Sequence, residues 1–147
     1  MLRGNHTARI DDKGRLKIPN AFRALIDKSY GAELFVTSLT GESVRVYPMP
    51  VWQALEEKLA RTAPSTLPAR IKFLDRVNYF GQTAVIDAQG GVVIHPRLRE
   101  SAGMDGEVDV FGLYDRLEVW NHERFVAKMH GDPFTDEDAK ALSEFGI

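Results

Sequence analysis

Four cationic side chains fall within nine residues, Arg9, Lys13, Arg15 and Lys17, with the carboxylate of Asp11 among them. Guanidinium groups donate paired hydrogen bonds to a phosphate or to the O6 and N7 acceptors of guanine, and lysine adds a mobile point charge. A neighbouring carboxylate can hold a guanidinium in the orientation that such a contact needs. The chemistry on offer is recognition of a polyanion, nucleic acid in particular, rather than bond making. Asp11 and Asp12 would face opposite ways on a continuing strand, so they make no acid and base pair. His6, His95, His122 and His130 show no metal-ligand spacing. Phosphate-loop and nucleophile-elbow patterns are missing too. The expectation is a binding protein, not an enzyme, with no catalytic residue, metal, cofactor or small-molecule substrate.

The segment carrying these cations occurs twice. Asp11-Asp12-Lys13-Gly14-Arg15-Leu16-Lys17-Ile18-Pro19, followed by Arg23, returns 76 positions later as Asp87-Ala88-Gln89-Gly90-Gly91-Val92-Val93-Ile94-His95-Pro96, followed by Arg99. Thr7-Ala8-Arg9-Ile10 likewise matches Thr83-Ala84-Val85-Ile86, and two further strand-like pieces match at Glu33–Val36 with Glu107–Val110 and Val44–Tyr47 with Leu117–Trp120. Such a duplication turns differences between the copies into an internal test of which positions do more than fold. Val85, Gln89, Gly91 and Val93 stand where the first copy has Arg9, Lys13, Arg15 and Lys17, while Ala84, Ile86, Val92 and Ile94 keep the character of Ala8, Ile10, Leu16 and Ile18. A basic reader in one copy and a buried or packing face in the other accounts for both facts. The alternative, that Arg15 pairs with Asp11 across the turn in a surface ion pair worth about 0 to 1 kcal/mol, is compatible with the first. Arg23 and Arg99 occur in both copies, so they are expected to serve the fold by pairing with the duplicated aspartate or a carbonyl. Arg3 is close enough in sequence to touch a phosphate, although an exposed N-terminal arginine is ordinarily only solvated.

The elements that must position these groups follow from periodicity. Ala8 and Ile10, then Leu16 and Ile18, alternate with polar residues at the period of two of half-buried strands, which sends Arg9, Arg15 and Lys17 to the other face. Asp12-Lys13-Gly14 lies between them as a turn, and Gly14, like Gly90, can take a positive φ without steric cost. Pro19 ends the second strand and starts a short helix from Asn20 to Lys28, with Phe22, Leu25 and Ile26 on one side. A second helix is expected from Pro50 to Arg61, with Trp52, Leu55 and Leu59 inward. Thr62–Pro68 has linker composition, Ala69–Val77 has helical composition with Arg70, Lys72 and Arg76 on a solvated face, and Thr135 is placed to cap a last helix through Phe145. His95 beside Pro96 is expected to be structural.

Composition narrows the class. The 147 residues include no cysteine, and no apolar run approaches the ~18 residues of a membrane span. Met1–His6 holds no apolar stretch of signal-peptide type, so a cytoplasmic location is expected. The net charge of −2 is unevenly spread: seven basic residues face three acidic ones before Ser29, whereas five acidic residues face Lys140 from Gly131 onward. That polarity predicts a basic working end, and an acidic end that repels nucleic acid or packs on a neighbour.

At these residues the chain resembles the MraZ family of bacterial transcriptional regulators, built from two AbrB-like (SpoVT-AbrB) modules. The resemblance is carried by Arg3-Gly4, by Asp11 and Arg15 within Asp11–Pro19, by Tyr47-Pro48-Met49-Pro50-Val51-Trp52 and by Leu117-Glu118-Val119-Trp120. It implies an α+β, β-rich fold of duplicated swapped-hairpin modules, residues 5–51 and 80–123, sharing one core with flanking helices. It further implies a ring-shaped, octamer-like homo-oligomer that binds double-stranded DNA at direct repeats, represses the division and cell-wall gene cluster that includes its own gene, and resides on the nucleoid. The DNA-binding set is then Arg15, Lys13, Arg9, Lys17 and Arg3, with Asp11 and Gly14 supporting turn and orientation. Gly91 departs from the pattern, since the second copy of the family often carries arginine there, and no DNA contact is carried over to that module. The rival expectation is an antitoxin-like interaction module that docks a partner protein through the acidic tail.

Overall fold

The computed structural model describes all 147 residues. The first copy runs β1 (Asn5–Ile10), β2 (Arg15–Lys17), α1 (Asn20–Ser29), β3 (Glu33–Thr37), β4 (Val44–Pro48) and α2 (Met49–Ala60). A 3-10 turn at Pro64–Thr66 and α3 (Leu67–Tyr79) lead to the second copy, β5 (Gln82–Val85), β6 (Gly91–Val93), α4 (Pro96–Ala102), β7 (Gly106–Leu113), β8 (Arg116–Asn121) and α5 (His122–Gly131), followed by α6 (Asp136–Ser143). The same order of elements therefore appears twice, as the repeat requires.

The eight strands form one sheet in the order β5-β3-β4-β8-β7-β1-β2-β6. β1 lies antiparallel to β7 along its whole length, from Asn5 opposite Phe111 to Ile10 opposite Gly106, and meets β2 only at Ile10 and Leu16. β5 does the reciprocal thing against β3. Each copy thus lends its first strand to the other, which is the swapped arrangement. Two strand pairs sit on the pseudo-two-fold axis: β2 with β6, where Leu16 faces Val92, and β4 with β8, where Arg45 faces Glu118. The Arg45 Nε lies 4.0 Å from Glu118 Oε2. The sheet ends, β5 and β6, meet at the Asp87 turn, where the Asp87 N–H donates to the Gly91 carbonyl at 3.0 Å, so the sheet comes close to closing as a barrel.

Inside lies one apolar cluster of 20 residues, ten from each copy, including Leu16, Ile18, Phe22, Leu34 and Val46 against Val92, Ile94, Leu98, Val108 and Val119. Neither half could bury these side chains alone, and each buried aliphatic side chain contributes about 1.5 to 3 kcal/mol. On the outside of β3 and β4, Trp52 of α2 stacks on Phe35 at 4.5 Å and against Tyr47 at 4.9 Å, and α3 adds Phe73 and Val77. Phe125 of α5 packs on Phe111 and Trp120 at 4.5 and 5.7 Å.

Local chemistry explains the helix starts. Pro19, with φ −52°, precedes α1, and His95 takes the same place before α4, its Nδ1 accepting the Arg97 N–H at 3.2 Å; the histidine is structural, as expected. Thr135 and Asp138 form a reciprocal capping box on α6. Leu25 is 41% exposed, because Phe22 and Ile26, one turn apart, already fill the buried line of this short helix. From Ala127 to Ile147 every residue is exposed, including Phe134, Phe145 and Ile147. No helix is long and apolar enough to cross a membrane.

Candidate nucleic-acid interface

The two turns share one backbone design. Asp11 Oδ1 accepts the N–H groups of Lys13 and Arg15 at 3.0 and 2.9 Å, and its carbonyl accepts the Gly14 N–H at 3.0 Å. Asp87 Oδ1 accepts Gln89 and Gly91 at 2.9 and 2.8 Å, and its carbonyl accepts Gly90 at 3.0 Å. An aspartate that closes its own turn in this way leaves Oδ2 free. Gly14 and Gly90 take φ of +76° and +85°, where a side chain would be strained, so these glycines belong to the turn. Each is covered by an arginine of the opposite copy: Arg99 lies against Gly14 and Arg23 against Gly90, with Arg23 Nη2 donating to the Ala88 carbonyl at 3.2 Å. The expected structural role of Arg23 is thereby seen, directed across the pseudo-two-fold axis.

Arg15 makes contacts in both copies. Its Nε lies 3.5 Å from Asp11 Oδ2 and its Nη1 3.4 Å from Asp87 Oδ2, while the side chain remains 44% exposed. Hydrogen bonds from the turn N–H groups, that of Arg15 foremost for Asp11 and that of Gly91 foremost for Asp87, hold both carboxyls below their ordinary range, and the Arg15 charge adds to this. Around this group opens a shallow depression of about 430 Å³ lined by Arg9, Asp11, Arg15, Lys17, Asp87, Gln89 and Gly91, with no apolar residue in its wall.

Of the residues singled out from sequence, Arg9, Arg15 and Lys17 converge here with Asp11, and Lys13 stands at the exposed tip beside Gly14. Arg9, Lys13 and Lys17 hold no ion pair; Arg15 alone is paired. Arg3 is not brought into the group: it lies beyond the far end of β1, in a hollow with Leu2, Gly112 and Tyr114. The second-copy positions are a correction to the expected packing face. Val85 and Val93 are 64% and 60% exposed, because no helix covers this outward face of the sheet. Val93 lies directly opposite Arg15, and Gly91 opposite Lys17, so the surface is basic on one side of the axis and apolar on the other.

The link from Arg15 to Asp87 and Gly91 escaped sequence reading. Its only trace there was an aspartate kept at Asp87 after the arginine four residues on had been lost.

The family model described as "MraZ protein, putative antitoxin-like" matches residues 1–74 and 81–145. The chain belongs to the MraZ family. It is 50% identical over 147 residues, the full length of both chains, to a protein of Acidobacterium capsulatum named transcriptional regulator MraZ. A protein of the same name from Koribacter versatilis is 47% identical, again over all of both chains. A third, from Acidithiobacillus ferrooxidans, is 33% identical over 86% of this chain and 87% of its own. MraZ membership agrees with the duplicated AbrB-like architecture, and the break in the matched ranges falls at residues 75–80, between the two copies.

Proposed function

We propose that the chain is a sequence-specific DNA-binding transcriptional regulator, acting as a repressor of the division and cell-wall gene cluster that contains its own gene. The observation that carries this reading is the set of unpaired cations, Arg9, Lys13 and Lys17, gathered around an oriented Arg15 on one exposed sheet face. The relatives named transcriptional regulators support it. In the complex, the β1–β2 turn enters the major groove, which admits a two-stranded ribbon. Lys13 and Arg15 reach base edges, and Arg9 and Lys17 neutralise phosphates. Arg3, at the other end of β1, reaches only a phosphate flanking the read bases. The modules are residues 5–51 and 80–123, with the basic face on the first.

One subunit neutralises about two to four phosphates, which gives weak binding at physiological salt, so affinity comes from several subunits on one duplex. In a closed ring, head-to-tail neighbours are related by rotations in one sense, and their readers then match direct repeats rather than palindromes. A regulator of this kind works in the cytoplasm, on the nucleoid.

The test is a fluorescence-anisotropy titration of wild type and Arg15→Ala on duplex from the gene's own upstream region and on a shuffled duplex, at two salt concentrations. Wild type should prefer the native duplex and the variant should lose that preference; equal binding of both duplexes by wild type and variant alike would overturn the reading. A second reading, a protein-docking module, is favoured by the exposed Phe134, Phe145 and Ile147 on the acidic tail and by the antitoxin-like description of the family. It predicts that deleting the tail removes a copurifying partner and leaves DNA binding intact.

A further inference from the structure

Gly91 has no conformational reason to be glycine. Its φ lies outside the left-handed region that Gly14 and Gly90 occupy, and glycine in a strand weakens it. The reason is spatial: a Cβ there would stand 2.6 Å from Asp87 Oδ2 and 2.7 and 3.0 Å from Arg15 Cδ and Cγ. The Arg15 side chain crosses from β2 over β6 through the space that a residue larger than glycine would fill. Arginine at both symmetry-related positions would bring two guanidinium groups to one spot. In this chain one arginine instead serves two aspartates.

The charges follow from that arrangement. Two carboxylates flank one guanidinium, so the ion-paired trio of Arg15, Asp11 and Asp87 carries a net negative charge within the basic depression, while Arg9, which stands across from Glu107 of β7, Lys13 and Lys17 form no ion pair. A phosphate approaching Arg15 meets Asp11 and Asp87 as well. A guanine edge offers neutral acceptors to the remaining guanidinium N–H groups, and the cytosine paired with it presents an N4–H donor from which the Asp11 carboxylate can accept.

Resting on the DNA-binding reading above, we infer that Asp87 is a positioning residue for Arg15, with Gly91 as the clearance it requires, and that together they commit Arg15 to a G·C base edge rather than to a phosphate. The second module therefore takes part in recognition without itself touching DNA.

The selective variant is Asp87→Asn. It keeps Oδ1, which closes the turn, and replaces Oδ2 with an amide that cannot pair with a guanidinium. In the two-duplex titration, Asp87→Asn should lose about tenfold of the preference for the native duplex while binding the shuffled duplex at least as tightly as wild type, because a negative charge has gone. Gly91→Ala should lose a similar share with Asp87 intact. Asp87→Asn that keeps the preference, or that weakens both duplexes in proportion, would overturn this role and leave the regulator reading standing. A wild type without any preference would overturn the regulator reading and this role with it.

Discussion

The turns at Asp11–Arg15 and Asp87–Gly91 have nearly the same backbone and opposite surfaces. Both need an aspartate to accept the turn N–H groups and a glycine at positive φ, and both have them. Around those fixed points one turn presents Arg9, Lys13, Arg15 and Lys17 and the other Val85, Gln89, Gly91 and Val93. The difference teaches that Asp and Gly mark the fold in this repeat, whereas the residues between and beside them are free to differ in charge and are the ones that the proposed function assigns to recognition. It also shows that the turn without cations is not inert, since its aspartate is half of the cradle that holds Arg15.

Making the two turns alike should produce the largest change. Replacing Val85 with Arg, Gln89 with Lys and Val93 with Lys adds three cations to an exposed face, and the dependence of log affinity on log salt should steepen by about 0.9 for each one that meets a phosphate. Binding to any duplex at low salt should then rise more than about tenfold, with preference between duplexes reduced; an unchanged salt slope would place DNA elsewhere on the molecule. Next in size is the contrast between two glycines. Gly14→Ala forces a side chain into the left-handed region and against Arg99, a cost of about 2 kcal/mol that should lower the melting temperature by about 5 °C. Gly91→Ala meets only side-chain atoms that can move and should change melting by about 1 °C. Smaller again is the split between two cations of the first turn: Lys17→Ala should reduce the salt slope by about 0.9 at each subunit contact, whereas Arg15→Ala should change duplex preference with little effect on slope.

The smallest effects concern pH, and they run in opposite directions in two regions. Asp11 and Asp87 titrate below their ordinary 3.8, so what they add to stability is complete above that value and is lost as pH falls through their lowered values. Asp87→Asn should remove its share of that acid sensitivity in thermal melts. His122 at the start of α5 is the reverse: its Nδ1 lies 2.7 Å from Asp109 Oδ2, and this hydrogen bond raises it above 6.5. Its contribution is complete below 6.5 and fades as pH rises through the raised value, so His122→Gln should flatten the melting temperature over that range.

Much of this was legible in the sequence because it is local. Alternation fixed which way Ile10 and Leu16 face, the positive-φ glycines fixed the turns, and Thr135 with Asp138 fixed the start of α6. Alternation says nothing about which strand lies alongside, so the pairing of β1 with β7 rather than mainly with β2 is legible only through the family resemblance and its swapped hairpins. The same limit hid Asp87 from Arg15, since their contact depends on register across 72 residues of chain. The exposure of Val85 and Val93 is likewise invisible to alternation, which separates inward from outward positions but does not say whether a helix covers the outward face.

The axial pair of Arg45 and Glu118 has a consequence for assembly. If first halves from two chains paired with each other as the halves of one chain do, Arg45 would stand opposite Arg45; two second halves would set Glu118 against Glu118. Like charges directly opposite across strands are destabilising, so at this axis a first half matches a second half better than it matches another first half. One ion pair thus makes the two halves of a duplicated protein complementary rather than interchangeable.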